Sequence, residues 1–115
     1  MHKLNVLIIG PSHFINTLNE LKTFLKFNLF SNENKLPAII PDNIDVLIYH
    51  NQDIQNFKKI YDLDKLQIIK ILASNSKGKG LENFDHVINL PTTLNELNKV
   101  VQQATIKKNF IRIHL

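Results

Sequence analysis

The chain has 115 residues, of which 43% are hydrophobic and 21% charged, with a formal charge of +4 at pH 7. That length supports one hydrophobic core and is too short for two, and the balance of residue types is that of an ordinary globular chain. There is no cysteine, which excludes disulfides, thiolate catalysis and Cys-ligated zinc.

Met1 to Asn5 runs straight into a strand-like segment, without the apolar stretch and small-residue cleavage site of a secretory leader. No run approaches the ~20 apolar residues of a membrane span. A cytoplasmic protein is expected. The abundance of Ile, Asn and Lys beside a single arginine, Arg112, reads as the composition bias of an AT-rich bacterial genome. The basic residues gather near the end, at Lys99, Lys107, Lys108 and Arg112, with a second group at Lys77 and Lys79. A basic helix end complements the helix dipole, and no aromatic residues interleave these lysines as single-strand nucleic-acid binding requires.

In chain order, Leu4 to Ile9 is apolar apart from Asn5 and ends in the turn Gly10-Pro11-Ser12. Ser12 is the expected N-cap of a helix carrying Phe14, Leu18, Leu21 and Leu25 on one stripe, widened by Ile15 and Phe24. This helix is expected to stop near Phe27-Asn28, and Leu29 to Ser31 reads as a second strand. Leu36 to Pro41 holds two prolines four residues apart, which argues against a full helix there. Val46 to Tyr49 is an unbroken apolar run extended to His50, the pattern of a strand buried on both faces of a parallel sheet.

Ile54, Phe57, Ile60 and Tyr61 suggest a short helix, and Gln67 to Ala73 a fourth strand interrupted by Lys70. A charge at Lys70 is expected only where its face of the sheet is thinly covered. Ser74 to Gly80 reads as a solvated loop, and His86 to Leu90 as a fifth strand ended by Pro91. Thr93 with Glu96 forms a capping box that opens a last helix, with Leu94, Leu97, Val101 and Ala104 on its core stripe and Asn98 elsewhere. The tail Phe110 to Leu115 alternates like a strand, so residues 1–109 are expected to form the domain and 110–115 a tail or the start of a linker. The alternation of strands and helices predicts an α/β fold on a parallel sheet. A crossover needs at least about 10–12 residues including its helix, so the helices between strands two and three and between four and five are expected to be shortened.

His50 would lie at the carboxyl edge of the sheet, where open α/β domains keep their chemistry. Its one nearby carboxylate is Asp53, too little for a metal or a catalytic pair, so a histidine satisfied by a local hydrogen bond is expected. A His13/His50 zinc site would have too few ligands. Gly10-Pro11-Ser12-His13 lacks the glycine spacing of either common nucleotide-binding loop and reads as a turn, although a small nucleotide- or anion-binding module remains an alternative.

Five strands, a helix after the first, and Pro91 before a long last helix together resemble the receiver domain of bacterial response regulators over about residues 3–108. Asp45-Val46-Leu47-Ile48-Tyr49 resembles that family's third strand, and Phe84-Asp85-His86-Val87-Ile88-Asn89-Leu90-Pro91 its fifth. The resemblance implies a flavodoxin-like three-layer sandwich with sheet order 2-1-3-4-5, the first and last helices sharing one face. Receivers accept a phosphoryl group on an aspartate after strand three, with Mg²⁺ held by acidic residues after strand one. Here the acceptor position is His50 and the acidic positions are Gly10, Pro11 and Ser12. The switch positions after strands four and five read Ala73, Ser74, Leu90 and Pro91, so the pairing lysine is lost and only the proline, expected after a cis bond, is kept.

The resemblance therefore implies a non-enzymatic, cofactor-free, non-phosphorylatable receiver of an orphan response regulator. Its surface would mediate homodimerisation to control a DNA-binding transcription factor through a separate domain of the parent protein. Neither a membrane nor a small-molecule substrate is expected as a partner. The expected dimer face is Glu96, Lys99, Val100, Gln103 and Lys107 on the last helix, with Val100 as its apolar centre. The alternative is a stand-alone receiver-like adaptor for another protein.

Overall fold

A computed structural model describes residues 4–33, 37, 39–50, 68–74 and 84–114. Five strands form one all-parallel sheet: β1 (Asn5–Gly10), β2 (Asn28–Glu33), β3 (Val46–Tyr49), β4 (Ile69–Ser74) and β5 (His86–Asn89), in the order β2-β1-β3-β4-β5. The fold is the flavodoxin-like α/β arrangement expected. Two α-helices are described, α1 (Ser12–Glu20) and α2 (Leu94–His114), with a 3₁₀ turn at Lys22–Phe24 after α1. Among the described residues no helix is long and apolar enough to cross a membrane.

Strand alternation sorts the core into two layers. Val6, Ile8, Val46, Ile48, Ile71 and Ile88 face α1 and α2 and pack with Ile15, Leu18, Leu97 and Val101. Leu7, Ile9, Leu47, Tyr49 and Leu72 face the other way and pack with Ile44 and Phe84. Both sides of β3 are therefore buried, which is why its sequence is apolar at every position. Fully burying each such side chain is worth roughly 1.5–3 kcal/mol. Two carboxylates secure the amino ends of the strands. Asp45 Oδ2 accepts from the Asn5 amide at 2.8 Å, and Asp85 Oδ2 accepts from the Lys70 amide at 2.8 Å.

Several expectations are corrected. The N-cap of α1 is Pro11, with no side-chain cap, and the amides of Phe14 and Ile15 both donate to its carbonyl at 3.1 Å. Proline presets the needed φ, so the helix begins one residue before Ser12 could cap it. α1 ends at Glu20, and the tighter 3₁₀ turn rotates the following side chains. Phe24 is thereby turned outward at 64% exposure, while Leu25 and Phe27 enter the core.

Lys70 is 9% exposed despite its charge, and its Nζ donates to the Ile68 carbonyl at 3.4 Å, so its face is covered rather than thin. The tail that reads as an alternating strand is helical through His114, because two-residue alternation over so short a span is overridden by continuation of α2. The expected helix near Ile54 to Tyr61, the Ser74 to Gly80 loop beyond Ser74 and the connection between β4 and β5 lie outside the described residues. In the connection from β2 to β3, the described residues hold a turn at Asp42-Asn43 and no helix.

Candidate functional site

Because all five strands run the same way, their carboxyl ends form one rim, and the strand order reverses between β1 and β3. Open α/β sheets place ligand crevices at such a reversal. Gly10 ends β1 and His50 follows β3 across that gap, with the His50 amide donating to the Ile9 carbonyl at 2.7 Å. A Cβ on Gly10 would lie 3.2 Å from both the Cβ and the backbone oxygen of His50 and 3.3 Å from a ring carbon of Phe14. Glycine is used here for close approach, which leaves no space for an acidic side chain at that position.

His50 finds the local partner expected of it. Its Nδ1 lies 3.1 Å from the Ala73 carbonyl, and its ring meets Phe14 edge-on with centroids 4.7 Å apart. A carbonyl oxygen can only accept, so Nδ1 carries the proton and the neutral ring keeps its lone pair on Nε2. Burial lowers the His50 pKa from its ordinary value, opposed by the Ala73 bond and reinforced by the charge of His13. The neutral ring therefore prevails at pH 7.

A cleft of about 410 Å³ opens beside this ring between α1 and the start of α2. His13, Phe14 and Thr17 line it from α1, Thr92 and Thr93 from the turn after β5, and Leu97 from α2. The Leu90-Pro91 peptide bond, also in its wall, is cis as expected. At the mouth, the Glu96 amide donates to Thr93 Oγ1 at 3.1 Å, half of the expected capping box. The Glu96 carboxylate instead accepts from Thr92 Oγ1 at 3.1 Å.

Of the sequence-derived site positions, Gly10, Pro11, Ser12, His50, Ala73, Ser74, Leu90 and Pro91 all fall at the carboxyl rim. Among the described residues no group of three or more His, Asp or Glu is placed to hold a metal ion. On α2, Glu96, Lys99 and Gln103 are exposed, whereas Val100 is half-buried against the core and is not the free apolar centre expected. Further along the same helix Ile106 is 68% exposed, following Lys99 and Gln103 at helical spacing. The Lys107 side chain lies outside the described part.

Sequence reasoning missed Asn98. It is 6% exposed, its Oδ1 accepts from the Lys26 amide at 2.9 Å, and its Nδ2 donates to the Phe24 carbonyl at 3.2 Å. The signal was present, since Leu94, Leu97, Asn98 and Val101 fall at helical core spacing. Comparison with family models and with curated proteins finds no match for the chain.

Proposed function

We propose that this is a receiver-like regulatory domain of an orphan response regulator that works without phosphorylation. It acts in the cytoplasm by pairing with a second copy through α2, and the pair sets the spacing of DNA-binding domains carried by the same parent protein. The observation that carries this reading is the state of His50. The position where a receiver bears its acceptor carboxylate holds an imidazole, tied through Nδ1 to the Ala73 carbonyl and pressed against Gly10. The sheet order supports receiver ancestry, while Gly10, Pro11, Ser12 and Leu90 supply neither metal ligand nor pairing cation. The exposed stripe of Lys99, Gln103 and Ile106 supports α2 as the contact face.

Incubation with a small phosphodonor and Mg²⁺ tests the first half of the reading. The intact mass is expected to stay unchanged, and a stable phosphoryl adduct overturns it. Light scattering tests the second half, where a dimer is expected and a monomer at high concentration overturns pairing through α2.

A further inference from the structure

Three polar groups of the cleft beside His50 are fixed as acceptors, while the Thr93 hydroxyl, which accepts from the Glu96 amide, keeps a proton to give. Thr17 spends its hydroxyl proton on the His13 carbonyl at 2.8 Å, and Thr92 spends its own on Glu96 Oε2. Both hydroxyl oxygens are left with lone pairs only. His50 is fixed the same way, since Nδ1 gives its proton to Ala73 and Nε2 has no partner among the described residues. Three polar groups of the lining thus accept, and the surfaces between them are Phe14, Leu18, Leu94 and Leu97. Among the described residues no lysine, arginine or carboxylate lines the cleft. Its volume of about 410 Å³ lies within the roughly 300–1,000 Å³ of small-molecule sites, which are apolar with a few placed polar groups.

We propose that the cleft between α1 and the start of α2 binds an uncharged, mostly apolar small molecule that donates a hydrogen bond to His50 Nε2. A flat ring bearing one N–H or O–H suits the site, its face against Leu18 and Leu97 and its edge toward Phe14. Cationic ligands find no carboxylate among the described residues of the lining. The inference stands on the cleft alone and does not depend on pairing through α2.

The test uses the full chain with indole and phenol as probes, read by saturable changes in backbone amide chemical shifts. Both are expected to move the amides of Phe14, Leu18, Thr93 and Leu97. 1-Methylindole, which keeps the ring and loses the donor, is expected to bind about tenfold more weakly, the worth of one hydrogen bond of about 1.4 kcal/mol. Benzylammonium is expected not to bind. His50→Phe retains a ring but no acceptor and is expected to erase the difference between indole and 1-methylindole. Thr17→Trp, a change at an exposed position on the cleft wall, is expected to block both. No saturable shift with either probe, equal binding of indole and its methylated analogue, preferential binding of benzylammonium, or binding undiminished in Thr17→Trp each overturns the proposal.

Discussion

Asn98 on α2 donates its side-chain amide to the carbonyl of Phe24, 74 positions earlier, at 3.2 Å, and takes the Lys26 amide at 2.9 Å in return. One polar side chain thus satisfies both hydrogen-bonding senses of the backbone where the chain leaves the 3₁₀ turn for β2. Replacing it with alanine strands a carbonyl and an amide. Asn98→Ala is expected to lower stability by about 1–3 kcal/mol, measured by urea denaturation. Asn98→Asp keeps the acceptor but sets a carboxylate oxygen against the Phe24 carbonyl at a buried site, and is expected to cost at least as much as alanine.

Gly10 predicts a steric penalty. The atoms nearest an added Cβ include the His50 backbone oxygen, which cannot swing aside as a side-chain tip can. Gly10→Ala is expected to cost about 1–3 kcal/mol and to shift the His50 ring resonances. An unchanged melting curve and unchanged His50 signals would show that the rim is looser than this geometry.

The lowered pKa of His50 has a definite sign in stability. Below the ordinary value of 6.5 the unfolded chain takes up a proton more readily than the folded one, so folding weakens as pH falls from there toward the folded pKa. Above that window both states are neutral at this site and nothing is gained or lost. Of its neighbours, His13 acts on it through charge, while Gly10, Phe14 and Ala73 carry none. Stability measured against pH is expected to decline less steeply below pH 6.5 in His50→Gln than in the parent chain. Parallel curves would remove His50 as the cause.

Pairing through α2 predicts a charge-sensitive contact centred on Ile106. Ile106→Glu is expected to weaken self-association at least about tenfold, equivalent to roughly 1.4 kcal/mol, while leaving the melting of the isolated domain nearly unchanged. Sedimentation across a concentration series measures both species. Unaltered association would move the interface off this stripe.

Much of this was legible from residues alone, for identifiable reasons. β1 and β3 are buried on both sides, so Val6 to Ile9 and Val46 to Tyr49 announce themselves as unbroken apolar runs, and the parallel sheet follows. Pro91 and the Thr93–Glu96 spacing marked the start of α2 because their effects are local. Phe24 was misplaced because a 3₁₀ turn changes the angular step between residues, and no residue type signals that change. Val100 was read as off the core because a helical stripe gives relative angles but not where the sheet ends beneath them. The acceptor character of the cleft was not legible at all. The threonine bonds to His13 and Glu96 are local, but the His50 bond to Ala73 and the meeting of α1 with the start of α2 join residues far apart in the chain.

The two aspartates at the amino ends of the strands carry a consequence for how the sheet breathes. Strand ends ordinarily fray, and their terminal amides exchange with solvent hydrogen early. Here the Asn5 and Lys70 amides sit at such ends yet are held by Asp45 and Asp85. Deuterium should therefore enter these two positions late, and local opening should spread from the opposite margin, where Gly10 and His50 meet.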